Sequence, residues 1–435
     1  MKKSLKIVFA ICLALGIALG ALNLIAGAQK DRLAHIEEQQ AARKKALGQI
    51  AAADILGIDP ETIEVPDEVE LTAGDRFIMG VNGAGSMLWV LAIDLVIIGA
   101  GGFLYSLWKL RRKQRGVGGS GKLGSGSNVL GIVIALAALC LDLAIASPVF
   151  LTSSNFLNVF QQISINFVVA VGMTFVVISG GIDLSVGSNI ALSGLLMGIL
   201  MKNYHVPVFV TILVCILFSG LIGLVNGMLI SFLDLPPFIA TLGMMSIVRG
   251  AAYTVTAGQP IYTFPSGFTG VSGRVAGIPL WSTLIMLVVI LMGWYILKFT
   301  RMGRFTYAIG GNESCAKLSG INLKKVKCFV YVVSGLCCGV AALLLSSRLD
   351  SAVPTNADGQ EMDAIAAVVI GGTSMSGGEG SMIGTLIGIL IIGIIANGLN
   401  LLGVAQGPQK MVKGLIIVVA VIIDVIRRKA SQSSK

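Results

Sequence analysis

The chain has 435 residues, of which 55% are hydrophobic and only 12% charged, against roughly 45–50% and 25% in soluble domains, so a water-soluble fold lacks the polar surface to cover itself. The net charge of +10 does not mark a nucleic-acid binder, because the cations sit in short clusters beside apolar runs, at Lys2-Lys3, Lys109–Lys113, Lys298–Lys327 and Arg427–Lys429, where membrane topology accounts for them. Seven cysteines and two histidines (His35, His205) show neither a disulfide framework nor metal-ligand spacing.

About 20 mostly apolar residues cross a bilayer as a helix. On that measure spans are expected at 7–27, 87–108, 127–150, 162–178, 188–202, 207–231, 238–256, 279–298, 328–347, 363–378, 381–400 and 410–426. With Lys2, Lys3 and Lys6 inside, the basic stretches Leu110–Asn128, Phe299–Lys327 and Arg427–Lys435 all fall on the cytoplasmic side, as the positive-inside rule requires.

The order gives two domains. Residues 1–126 form an extension made of span 7–27, an acidic external segment 29–86, span 87–108 and a basic Gly/Ser linker. Residues 127–435 form a ten-span domain with a cytoplasmic loop at 299–327. Ala26-Gly27-Ala28 after a basic start and an apolar core also fits a signal-peptide cleavage site, which leaves the later orientations unchanged. Gly116–Leu123 comes close to a phosphate-binding G-x-x-x-x-G-K-[ST] loop but ends in leucine and follows no buried strand, so it predicts no nucleotide site.

Two stretches of the larger domain resemble each other. Val176–Gly187 (VVISGGIDLSVG) and Val368–Gly378 (VVIGGTSMSGG) align, with one gap, at their glycine pairs and at Ser185 and Ser376, and each precedes an apolar run. A duplicated half is the expectation, and glycine-interrupted segments at matching places in two halves point to a transport pathway. The candidate pathway residues are Gly180, Gly181, Asp183, Ser185, Gly187 and Ser188 in the first break and Gly371, Gly372, Thr373, Ser374, Ser376, Gly377 and Gly378 in the second. Their hydroxyls and backbone groups suit weak bonding to a neutral, hydroxylated solute that must also leave. An unpaired aspartate at mid-bilayer costs roughly 2.5–3.5 kcal/mol, so Asp183 is expected to be paired or to cap the helix beginning near Ser185.

In the basic loop, Asn312 reads as an N-cap and Ser319-Gly320 as a helix stop. Between them a helix of about two turns exposes small residues, suited to a groove in a partner; composition alone also allows an ordinary positive-inside loop. Glu361, Asp363 and Glu379 flank the second glycine motif, and an ion-coupled secondary transporter or channel using them or Asp183 is the rival reading.

The region from about Asn128 to Lys429 resembles the permease subunits of ribose-type ABC importers, which include galactoside and xylose permeases. The likeness rests on Gly181–Ser188 (GIDLSVGS), Pro236–Gly243 (PPFIATLG) with Arg249-Gly250, Gly310–Asn322 (GGNESCAKLSGIN), Met362–Gly378 (MDAIAAVVIGGTSMSGG) and Asn397–Val404 (NGLNLLGV). The resemblance implies an all-α polytopic protein that works by alternating access. It also implies a homodimer of ten-span subunits in a bacterial cytoplasmic membrane, an ABC ATPase below that binds the ATP, and an extracytoplasmic sugar-binding protein above. It assigns Gly311, Asn312, Glu313, Ala316, Ser319, Gly320 and Ile321 to a coupling helix seated in the ATPase. Ser314-Cys315 stand where the family often has two alanines, and residues 1–126 have no counterpart in its shorter members.

Overall fold

The computed structural model describes residues 139–273 and 279–432, with residues 136–137 and fragments at 38–39, 41–43 and 45–46. The two expected spans of the extension, its external segment and the Gly/Ser linker lie outside the described residues except for those fragments. By compactness the chain divides into one unit of Met1–Ser120, Ile145–Ser147 and Gly398–Met411 and another of Gly121–Ala144, Pro148–Asn397 and Val412–Lys435.

The described elements are helical save for one two-stranded ribbon. In order they are α1 (Ser153–Ile178), α2 (Val186–Lys202), α3 (Val208–Phe232), α4 (Pro237–Thr256), β1 (Ile261–Tyr262), α5 (Ser266–Thr269), α6 (Leu280–Phe299), α7 (Arg301–Gly311), α8 (Glu313–Leu318), α9 (Leu323–Leu349), β2 (Ser351–Ala352), α10 (Gln360–Ile370), α11 (Met382–Leu401) and α12 (Gln406–Gln432). The chain is a polytopic all-α membrane protein. Among the described residues six helices, α1, α3, α4, α6, α9 and α11, are long and apolar enough to cross a bilayer.

Which helices face lipid follows from what they expose. The apolar window of α1 is 89% buried and that of α9 67%, whereas α3, α4 and α6 bury only 33%, 22% and 28%. The outer helices turn Leu217, Leu221, Ile247 and Leu291 outward, a surface that suits a bilayer as solvent. At the centre α9 lies against α3 at backbone distance. A Cβ on Gly223 would stand 2.1 Å from the Tyr331 carbonyl oxygen, and one on Gly335 2.4 Å from that of Ser219, so only glycine permits this crossing.

Two expected spans are built on short helices. α2, with 17 residues, is about 25 Å long, and α10, with 11, about 16 Å, against a hydrocarbon core of roughly 30 Å. The stretch read as a span at 363–378 is helical only to Ile370 and then turns through Gly371–Ser381. Hydropathy counts those glycines as apolar, yet they end the helix.

At the outer ends, β1 pairs antiparallel with β2 in the register Ile261↔Ala352 and Tyr262↔Ser351, and Lys202 Nζ at the end of α2 donates to the Tyr262 carbonyl at 2.6 Å. In the smaller unit, Gln409 Nε2 donates to Asn400 Oδ1 at 2.9 Å and to the Val404 carbonyl at 2.7 Å, closing the turn from α11 into α12.

Candidate translocation pathway and coupling segment

The two glycine breaks end their helices with the same device. After α1, Gly180 N–H donates to Val177 O and Gly181 N–H to Val176 O, both at 2.9 Å, with Gly180 at φ +81°. After α10, Gly372 N–H donates to Val369 O at 2.9 Å and Thr373 N–H to Val368 O at 3.1 Å, with Gly372 at φ +89°. These are paired Schellman caps, which need a left-handed residue that glycine supplies without strain. The structural register matches Val176 to Val368 and Gly180 to Gly372 without a gap. The alignment that set Gly180-Gly181 on Gly371-Gly372 is therefore shifted by one at the cap.

Beyond the first cap, Asp183 is 2% exposed and fully bonded. Its Oδ1 accepts from Ser185 N–H at 3.0 Å and Ser185 Oγ at 2.6 Å, and its Oδ2 accepts from Ser334 Oγ of α9 at 2.8 Å. Asn226 Nδ2 of α3 donates to Ser185 Oγ at 2.8 Å, and the Tyr331 hydroxyl donates to the Ile182 carbonyl at 3.2 Å. The carboxylate is thus paired with hydroxyls and an amide N–H ahead of the positive end of α2. Ser188 Oγ donates to the Ser185 carbonyl at 2.9 Å. Both serines are buried inside the protein, so they brace the break; Gly180, Gly372 and Ser376 are the exposed edges.

Gly187 lies at a second meeting point. A Cβ there would stand 2.4 Å from both the Ala357 carbonyl oxygen and Glu361 Oε2, so the start of α2 abuts the start of α10. The connection before α10 is held by Arg249 of α4, whose Nη1 donates to the carbonyls of Pro354 at 2.6 Å and Asn356 at 2.9 Å. Asp363, one of the carboxylates an ion-coupled mechanism would use, is ion-paired with Lys413 Nζ at 2.7 Å.

In the second break, Ser374 N–H donates to the Glu379 carbonyl at 3.0 Å and Ser374 Oγ accepts from Ser376 N–H at 3.3 Å. Thr373 is fully buried, and among the described residues its Oγ1 has no hydrogen-bond partner. Gly371 presses on Gly384 of α11, its Cβ position only 2.4 Å from the Gly384 carbonyl carbon.

The structure brings both breaks to one place and adds a third element there. Gly378 N–H donates to the Ile178 carbonyl at 2.9 Å, joining the end of α1 to the second break. Gly310 near the end of α7 packs on the same point: its Cβ position is 1.8 Å from Ile178 O and 2.5 Å from Gly378 N. The Tyr307 hydroxyl donates to the Gly380 carbonyl at 2.9 Å. The α7 arm leads straight into α8, so the expected coupling segment and the two breaks form one junction.

α8 itself is built as the sequence predicts. Asn312 Oδ1 accepts from Cys315 N–H at 2.9 Å, Gly320 N–H donates to Lys317 O at 3.0 Å, and Ile321 N–H donates to Ala316 O at 3.1 Å, with Gly320 at φ +81°. Glu313 pairs with Lys327 Nζ at 2.7 Å, tying the helix to α9. Only Ala316 is buried, while Leu318 is 89% exposed, an apolar tip offered outward. α7 was not foreseen; its signal was Thr300, whose Oγ1 caps it by accepting from Gly303 N–H at 3.2 Å. Ser334, Asn226 and Tyr307 were also missed, although polar residues such as Ser334 and Asn226 within apolar helices are the mark to look for.

Residues 155–421 match the family described as branched-chain amino acid transport system / permease component. The chain belongs to this permease family. It is 45% identical over 298 residues to the ribose import permease protein RbsC of Haemophilus influenzae, covering 67% of this chain and 91% of that protein. Similarity to the RbsC of Bacillus subtilis is 45% over 305 residues, 69% of this chain and 94% of that one. The D-allose transport system permease protein AlsC of Escherichia coli is 37% identical over 297 residues, 68% and 89%. No solved structure gives a significant match. The family match begins at α1 and leaves residues 1–126 outside it.

Proposed function

We propose that the chain is the membrane-spanning subunit of a binding-protein-dependent ABC importer for sugars of the ribose type, resident in a bacterial cytoplasmic membrane. The observation that carries this reading is its 45% identity across nearly the whole length of ribose import permeases. Its exposed, doubly capped α8 agrees with that reading. The subunit works as a homodimer, each copy contributing a ten-span core with a duplicated half, and the 1–126 extension is an addition to that core. The ATP belongs to the partner ATPase.

In this mechanism α8 seats in a groove of the ATPase, with Asn312 and Gly320 fixing its two ends. Closure of the ATPases displaces α8, and α7 transmits the displacement because Gly310 and Tyr307 contact the ends of both breaks. The Gly180 edge and the Gly372–Ser376 edge then move relative to each other and open the path. The sugar is held weakly by backbone groups there, since tight binding would prevent release. Outside, the loops Gly258–Pro279 and Arg348–Glu361 receive the binding protein; the β1–β2 pairing joins them into one platform, and Arg249 steadies the second.

The deciding experiment is extraction of the chain from its native membrane in mild detergent, followed by identification of what copurifies. An ABC ATPase in equal amount is the expected result. Ion-gradient-driven uptake by the chain alone in liposomes would overturn the proposal.

A further inference from the structure

Where α3 ends and α9 begins, an apolar groove of about 390 Å³ opens on the outer surface, lined by Leu224, Met228, Phe232 and Leu233 on one side and by Lys324 and Lys325 on the other. Its floor is closed by direct helix contact: a Cβ on Gly227 would stand 2.7 Å from the Cys328 Cα, and Ser231 Oγ lies 3.3 Å from Cys328 Sγ. The groove is therefore a furrow on the protein and not a passage through it. Met228, Phe232 and Leu233 are 43%, 57% and 64% exposed, and the apolar stripe continues along α3 through Val225, Leu221 and Leu217.

At the head of this furrow one ammonium is held in place. Lys324 Nζ sits 4.6 Å from the Phe232 ring centroid, a cation–π contact that fixes the ammonium over the apolar wall. Among the described residues neither Lys324 nor Lys325 has an ion-pair partner, while the neighbouring Lys327 is spent on Glu313. A furrow with two cations at the helix ends and an apolar track leading into the bilayer is complementary to one molecule: an anion carrying long acyl chains. A second copy packed here about a two-fold axis would instead bring like charges together.

We propose that this furrow binds an anionic phospholipid of the cytoplasmic leaflet, the phosphate between Lys324 and Lys325 and an acyl chain along Met228, Val225 and Leu221. Basic pockets between membrane helices on that side take lipid head groups in this way. The inference rests on the orientation in the proposed function, which puts the end of α3 and the start of α9 at the cytoplasmic surface. Lipid held here bears on α9, the helix that carries both the Asp183 brace and the Lys327 tie to α8.

The test is native mass spectrometry of the full chain in detergent with phosphatidylglycerol and phosphatidylethanolamine of matched acyl chains. Retention of phosphatidylglycerol is expected to exceed that of phosphatidylethanolamine, on the order of fivefold for each lysine. Lys324→Gln/Lys325→Gln loses the preference, and the charge-matched Arg301→Gln/Arg304→Gln keeps it, with thermal unfolding confirming that both fold. Unchanged preference in the first variant overturns the proposal. So does a Met228→Trp variant that loses dimerisation but retains lipid, which would assign the furrow to a second copy. No ATPase or sugar enters the assay, so its failure is separate from failure of the importer reading.

Discussion

The break after α1 and the break after α10 share a cap and differ in everything that follows it. Beyond Gly180 the chain is fixed by side chains reaching in from α3 and α9: Ser334 on Asp183, Asn226 on Ser185, Tyr331 on the Ile182 carbonyl. Beyond Gly372 it turns on Gly377 and Gly378, at φ +81° and +77°. There it is seated by backbone contact with Ile178 and Gly310 and by the Tyr307 bond to Gly380. The first break is anchored in the core and the second rests on α7. On the proposed mechanism, displacement of α7 would therefore reach the second break directly, and the first only through its rim at Ile178.

The sharpest way to break that comparison is Gly310→Ala. Its Cβ would fall 1.8 Å from one backbone atom and 2.5 Å from another, and neither can swing aside as a side-chain tip would. Overpacking of this kind costs about 1–3 kcal/mol or more, so a lower membrane yield and a thermal midpoint reduced by several degrees are expected. Gly311→Ala, with nothing among the described residues within 4 Å of its Cβ, is expected to match wild type in yield and thermal midpoint. If both variants behave alike, the three-way junction is not what holds the breaks together.

Local signals carried much of the fold. The expected spans 207–231, 238–256, 279–298 and 381–400 lie within a residue or two of α3, α4, α6 and α11, because a continuous apolar run bounded by polar or proline residues leaves a helix little choice. α1 begins at Ser153, well before the expected 162, because Asn155 is satisfied inside the protein by Asn397, the two side-chain amides donating to each other at 3.1 and 2.9 Å. Hydropathy penalises such a residue without knowing its partner. The same limit hid the brace on Asp183: Ser334 is 151 positions away, and no local spacing announces a contact of that range. Helix α8, by contrast, was legible at both ends, since Asn312 and Gly320 act on backbone groups within a few residues of themselves.

The anchored side of the comparison is probed by two substitutions at one position. Asp183→Leu leaves the Ser185 N–H and the Ser334 hydroxyl without their acceptor in a fully buried site, at about 2–4 kcal/mol, and is expected to abolish transport through misfolding. Asp183→Asn keeps one acceptor oxygen for Ser185, and Ser334 can rotate to accept from the new amide, so a smaller loss of thermal midpoint is expected. Equal losses would mean that the negative charge ahead of α2 matters more than the acceptor geometry. Wild-type yield and uptake from both variants would remove Asp183 from the structural account altogether.

A smaller effect on stability belongs to Gly320, and it separates folding from coupling most cleanly. Among the described residues no atom lies within 4 Å of its Cβ position, so they offer no clash; the cost is that of a left-handed φ of +81°, about 1–2 kcal/mol for a side-chain-bearing residue. Asn tolerates that conformation better than Leu, which makes Gly320→Asn the folding control. Gly320→Leu is expected to insert in the membrane and unfold within a few degrees of wild type. In a reconstituted complex it should nevertheless import less sugar per ATP hydrolysed if α8 seats in the ATPase as proposed, because its side chain would project into that contact. Wild-type coupling in Gly320→Leu would show that this face of α8 makes no productive contact with the motor, and transmission would then have to enter through some other part of the 299–327 arm.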